Sequence, residues 1–238
     1  MSVPSGAEAL DIGRFVAELE AHFPTWNAPV VTLAAERGAS PFEILVSTLL
    51  SLRTKDEVTT KATVRLLARA RTPRALAALP TQEIADLIYP VGFYPTKAKR
   101  LKEICRLLLE RYQGRVPDRM EALLELPGVG RKTANLVLGE GFGQPAICVD
   151  THVHRISNRI GYVATATPEK TELALRRRLP RELWLRYNPL LVAFGQPSAG
   201  RCHRSAAVAR WPSCVPGLVW SAAGKLRPPL SGGRGRSP

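Results

Sequence analysis

Two side chains of opposite chemistry stand at what read as neighbouring helix starts. Lys132 follows Leu126-Pro127-Gly128-Val129-Gly130-Arg131, and Asp150 follows the apolar run Ala146-Ile147-Cys148-Val149. Pro127 fixes one φ, while Gly128 and Gly130 admit the positive φ values and close backbone approach of a tight turn. The stretch through Asn135 therefore predicts a glycine-rich hairpin that opens a helix, with Lys132 in its first turn. Free N–H groups at such a turn, beside a helix N-terminus, form a concave donor surface suited to a phosphate. Asp150, ahead of Thr151-His152-Val153-His154-Arg155, is placed to cap a further helix with a fixed carboxylate. An amine and a carboxylate presented in this way form a candidate covalent catalytic pair. The competing reading is a surface lysine, an ordinary cap and a purely structural turn.

The elements that must position this pair read as nearly all helix. Ser40-Pro41-Phe42-Glu43 combines an N-cap, a first-turn proline and a capping-box glutamate, and Thr54-Lys55-Asp56-Glu57 repeats the box. Thr72-Pro73 and Thr81-Gln82-Glu83 open shorter helices. Tyr94 to Tyr112 predicts a long amphipathic helix with Leu101, Ile104, Cys105, Leu108 and Leu109 on one face. Asp118-Arg119-Met120-Glu121 boxes the first helix of the hairpin. Helices are expected near 151–161, 168–179 and 181–195, and no alternating strand pattern exceeds four residues.

The 238 residues carry 34 Lys and Arg against 20 Asp and Glu, a net charge of +14, which favours a polyanionic partner. No stretch approaches the ~18 consecutive apolar residues of a membrane span, and the N-terminal residues, with Glu8, Asp11, Glu18 and Glu20, do not read as a signal peptide. No membrane association is expected. Four cysteines without an export signal point to a reducing compartment.

The hairpin decapeptide and the Val149-Asp150-Thr151-His152 element resemble the helix-hairpin-helix DNA glycosylase superfamily, and within it the endonuclease III family. The spacing between the two elements is similar too. Further similar segments run from about Pro41 to Gln196: Leu49-Leu50-Ser51-Leu52-Arg53-Thr54-Lys55-Asp56, Val91-Gly92-Phe93-Tyr94, Lys97-Ala98 and Leu190-Leu191-Val192-Ala193-Phe194-Gly195. The resemblance implies an all-α, two-lobed fold with DNA between the lobes. One lobe, a six-helix bundle over 34–144, would hold the helix-hairpin-helix motif; 1–33 plus 145–196 would form the other. It implies a monomeric bifunctional DNA glycosylase and abasic-site lyase that removes oxidised pyrimidines from double-stranded DNA in base excision repair. Its location would be cytoplasmic, on a bacterial chromosome.

By the same resemblance, Lys132 attacks C1′ of the damaged nucleotide to form a Schiff base, and β-elimination follows on the 3′ side. Asp150 would stabilise the developing oxocarbenium and assist proton transfers. Gly128-Val129-Gly130 would hold a backbone phosphate 3′ of the lesion, with Lys97 and Arg131 as further phosphate contacts. Arg53 stands where several relatives carry glutamine, in the loop that fills the gap left by an extruded base. Its guanidinium can hydrogen-bond to the orphaned base and stack. Phe93 is the candidate wedge for the opposite strand. The alternatives are a solvated loop arginine on phosphate for Arg53 and a core phenylalanine for Phe93. For His152, which could hydrogen-bond near Asp150, the alternative is an ordinary helix histidine. Monofunctional adenine and mismatch glycosylases of the superfamily generally lack a lysine at the hairpin position, so Lys132 argues against them.

One departure concerns metal. The family follows its Phe-Gly-Gln element with four closely spaced cysteines that hold a 4Fe–4S cluster, whereas this chain has only Cys202 and Cys214 beyond Gln196. Cys105 falls on an apolar helix face and Cys148 in an apolar run, so both read as core thiols. Four-iron ligation needs four convergent thiolates; no metal site and no cofactor are therefore expected. Residues 197–238 hold seven Lys and Arg, six Pro and no acidic residue, half of the net charge. This tail is expected to be disordered or poorly packed. The abrupt loss of resemblance after Gln196 suggests a shifted reading frame in a GC-rich gene. A non-catalytic or misfolded product that at most binds DNA is then a competing expectation, beside a natural cluster-less variant.

Overall fold

The computed structural model describes residues 10–22, 30–36, 38–195, 219–220 and 226–227. In chain order the helices are α1 (Ile12–His22), α2 (Val30–Glu36), α3 (Pro41–Ser51), α4 (Asp56–Arg69), α5 (Pro73–Ala78), α6 (Thr81–Ile88), α7 (Tyr94–Tyr112), α8 (Met120–Leu124), α9 (Arg131–Leu136), α10 (Thr151–Arg159), α11 (Pro168–Arg178) and α12 (Trp184–Gly195). A π-helical turn, Val137–Gly141, prolongs α9, and a 3-10 turn, Arg181–Leu183, leads into α12. The only strands among the described residues are β1 (Val219–Trp220) and β2 (Leu226–Arg227), an antiparallel pair. The all-helical expectation is met, and no helix among the described residues is long and apolar enough to cross a membrane.

Local signals explain some starts and miss others. Ser40 and Glu43 form the expected reciprocal box: the Ser40 N–H donates to Glu43 Oε2 at 2.7 Å and the Glu43 N–H to Ser40 Oγ at 3.3 Å. Burial would raise the Glu43 carboxyl, but these bonds and the Arg71 guanidinium outweigh it and hold it below the usual range. Thr72 caps α5 through the Ala75 N–H at 3.1 Å. The boxes expected at Thr54 and Asp118 do not form; Lys55 and Arg119 precede α4 and α8 with no side-chain cap. The Thr54 hydroxyl is engaged elsewhere.

Two compact units result. The larger comprises Ala28–Asp150 and Pro180–Pro189, the smaller Met1–Asn27, Thr151–Leu179 and Leu190–Pro238. In the larger unit Ile44, Leu45, Leu50, Leu66, Leu76, Ile84, Ile88, Leu101, Ile104 and Leu108 build one continuous core that reaches Leu126, Val129, Ala134 and Ala146. In the smaller unit Phe15, Val16, Leu19, Val153, Ile156, Leu175 and Leu191 are buried.

These boundaries correct the expected lobes at 34–144 and 1–33 plus 145–196. Residues 30–33, 145–150 and 180–189 join the larger unit because side chains tie them there. Thr32 donates to the half-buried Glu140 at 3.2 Å, and Asn188 Nδ2 donates to the Cys148 carbonyl at 3.1 Å. Leu185 packs against Gly139, within 3.0 Å of where a Cβ would stand. Asp150 thereby belongs to the same unit as Lys132. Within the smaller unit His154, Asn158, Thr165 and Thr171 close a polar network, with His154 Nδ1 2.7 Å from Thr171 Oγ1.

Candidate active site

The hairpin between α8 and α9 is a pair of overlapping turns. The Leu126 N–H donates to the Leu123 carbonyl at 3.2 Å and the Val129 N–H to the Leu126 carbonyl at 3.0 Å. Gly128 takes φ +81°, a region that side chains with a Cβ rarely adopt. Gly130 corrects the expectation: its φ of −99° and ψ of 177° are ordinary extended values, and open space surrounds it. Val129 is likewise corrected as a ligand contact. Its side chain is buried in the core and its N–H closes the turn, so it anchors the hairpin. Among the described residues no acceptor takes the N–H of Gly128 or Gly130. These groups, beside the uncapped start of α9, are the donors offered to an anion. Arg131 is exposed in the first turn. Arg100 of α7, which the sequence reading missed, lies over Gly128 with its Cδ 3.1 Å from a Cβ built there.

Lys132 and Asp150 meet across this turn. Lys132 Nζ lies 3.9 Å from Asp150 Oδ2, with the lysine side chain 45% exposed and the carboxylate side chain 11% exposed. That separation allows charge pairing but is too long for a hydrogen bond, so the amine is not locked to the carboxylate. The backbone between them is held by Cys148, whose Sγ donates to the Lys132 carbonyl at 3.7 Å and whose own carbonyl takes the Asn188 amide. Neither Cys148 nor Asn188 carried a signal in sequence, because their partners are distant in the chain.

Arg53 and Phe93 converge in a second cluster. Both have left-handed backbone, at φ 53° and 59°, and the Arg53 guanidinium lies 5.7 Å from the Phe93 ring centre. Phe93 is 62% exposed, which removes the core alternative. Lys97 corrects the expectation of a phosphate contact. It is only 8% exposed, and its ammonium donates to the Leu50 carbonyl at 2.8 Å, the Leu52 carbonyl at 2.6 Å and Thr54 Oγ1 at 3.3 Å. All three of its N–H bonds are spent inside the protein. Burial pulls this ammonium down to about 8, against an ordinary 10.5.

In the smaller unit His152 packs against Gly195, where a Cβ would fall 2.2 Å from His152 Nδ1, and Arg155 Nη2 lies 3.5 Å from the same nitrogen. The two described cysteines do not fit a cluster. Burial pushes the Cys105 thiol up to about 12, which keeps it protonated, and Cys148 is engaged with Lys132. Among the described residues no group of three or more His, Cys, Asp or Glu could hold a metal ion; Cys202 and Cys214 lie outside them.

Residues 46–181 match the family described as HhH-GPD superfamily base excision DNA repair protein. Endonuclease III of Thermotoga maritima is 56% identical over 156 residues, covering 66% of this chain and 73% of that protein. Endonuclease III of Escherichia coli K12 is 39% identical over 176 residues, covering 74% and 80%. Among solved structures, a non-covalent endonuclease III–DNA complex matches with a TM-score of 0.72 at 32% identity, covering 84% of this chain and 94% of that one. A trapped endonuclease III–DNA covalent intermediate matches at 0.70 and 30%, covering 86% and 96%.

Proposed function

The chain belongs to the endonuclease III family of base excision repair DNA glycosylases, and from that premise we propose that it is a bifunctional glycosylase and abasic-site lyase acting on oxidised pyrimidines in double-stranded DNA. The observation that carries the lyase reading is Lys132 Nζ, half-exposed and 3.9 Å from Asp150 Oδ2. Lys132, as the free amine, attacks C1′; the bond from C1′ to the base breaks, and its electron pair leaves with the base, which takes up a proton. The sugar opens to a Schiff base between C1′ and Nζ. Loss of a proton from C2′ then expels the 3′ phosphate, and water releases the lysine. Asp150 faces the positive charge that develops at C1′ and relays protons. The N–H groups of Gly128 and Gly130, with Arg100 and Arg131 beside them, suit a DNA phosphate.

Borohydride trapping on a duplex with one abasic site tests this reading. A covalent adduct with the native chain, absent in Lys132→Gln, is expected; no adduct with the native chain would refute the lyase step. The chain is further proposed to work as a cytoplasmic monomer without an iron–sulfur cluster, since neither Cys105 nor Cys148 is placed as a ligand. Iron analysis of the purified protein tests that, and about four irons per chain would overturn it.

A further inference from the structure

Arg53 and Phe93 stand in two loops far apart in sequence, both in backbone conformations that bulky side chains avoid. Something must hold them there. We infer that Lys97 is a positioning residue: its ammonium fastens the 51–55 loop to the 90–94 loop, so that Arg53 and Phe93 meet DNA as one preassembled probe. The inference deepens the base-excision reading above and rests on it.

The connections form a closed circuit. Lys97 donates to the carbonyls of Leu50 and Leu52, at the C-terminal end of α3, and to the Thr54 hydroxyl. Those carbonyls have no helical partner beyond the helix end, where a cation is favoured. The Thr54 oxygen also accepts the Gly92 N–H at 3.2 Å, while its proton goes to the Leu52 carbonyl. Gly92 lies so close that a Cβ would stand 2.6 Å from the Arg53 carbonyl oxygen. The Phe93 carbonyl then accepts the Lys97 N–H at 3.0 Å, so the helical turn that carries Phe93 also carries the clamp. The circuit ends where the Arg53 guanidinium rests over the Phe93 ring. Three acceptors on the 50–54 segment match the three donors of one ammonium carried on the helix that follows the 90–94 loop, and no apolar or acidic side chain could replace it there. Extruding a nucleotide leaves unstacked neighbours and an orphaned base at once. A joined pair of side chains meets both together, whereas separate loops would each relax from left-handed backbone.

The test uses the full chain, Lys97→Met and Thr54→Val, which removes the bridging hydroxyl while leaving the two carbonyl contacts. One probe is an abasic duplex with 2-aminopurine opposite the site, whose fluorescence rises when that base is unstacked. The other is borohydride trapping on this duplex and on one with a single-nucleotide gap in place of the opposing base. Both variants are expected to lose the fluorescence rise and roughly tenfold in trapping on the paired duplex, but less than about twofold on the gapped one. Equal losses on the two duplexes, or a Thr54→Val chain with the native fluorescence and trapping ratio, would overturn the clamp. Should Lys97→Met fail to fold, Thr54→Val decides alone. A native chain that unstacks the probe but traps nothing refutes the lyase reading only, because the fluorescence still judges the clamp.

Discussion

The hairpin at 126–130 and the paired loops at 51–55 and 90–94 both need left-handed backbone, and they obtain it in opposite ways. In the hairpin Gly128 takes φ +81°, a conformation open to glycine without strain. The turn closes on its own local hydrogen bonds, and the chain arrives at Lys132 with nothing to restrain. In the loops the left-handed residues are Arg53 and Phe93 themselves. Each such residue costs on the order of 1–3 kcal/mol, and the opposing contacts come from Lys97, Thr54 and Gly92. Where a side chain need only be carried, glycine supplies the turn. Where the turning residue is itself the contact, a bulky side chain must be forced, and the force comes from tertiary structure.

The contrast can be broken at either end. Lys132→Gln should abolish trapping and strand cleavage while changing DNA affinity by only about the share of one charge, measured by binding to the same abasic duplex. Asp150→Asn should lower single-turnover rates by about a hundredfold or more with thermal unfolding little changed; a native rate would remove Asp150 from the chemistry. Next in size come two glycine substitutions. Gly92→Ala drives a methyl into the Arg53 carbonyl and should lower stability by about 2 kcal/mol in denaturant unfolding. Gly130→Ala meets open space at an ordinary φ and should stay within about 1 kcal/mol. Equal effects would mean that the hairpin is as tightly packed as the loops.

The smallest effect is in pH. The folded chain releases the Lys97 proton near 8, whereas the unfolded chain holds it to about 10.5. Between those values the unfolded state binds more protons, so rising pH favours the folded state. The melting temperature of the native chain relative to Lys97→Met should therefore climb by a few degrees from pH 8 to pH 10. A constant difference would show that this ammonium is not desolvated.

Much of this was legible in the residues because it is local. The Ser40 box, the Tyr94–Tyr112 helix, the turn at Gly128 and the placing of Lys132 and Asp150 at helix starts each depend on neighbours within a few positions. Other readings failed where a local pattern met a distant partner. Thr54 had every mark of a helix cap, yet its hydroxyl is claimed by Gly92 and Lys97. Lys97 read as a phosphate contact because a lysine on a basic helix is usually solvated, and nothing nearby in sequence announced the Leu50 and Leu52 carbonyls. The unit boundary moved because Cys148, Asn188 and Glu140 bond across long stretches of chain.

What the sequence by itself determined is thus the helical elements, the hairpin and the identity of the amine and carboxylate, all properties of backbone propensity and short-range capping. Only the tertiary structure decided that the amine and carboxylate stand 3.9 Å apart in one unit. It alone decided that Phe93 is exposed and that Lys97 faces inward. A buried polar group takes whichever partner the packed chain brings within reach, and that partner is set by the fold as a whole.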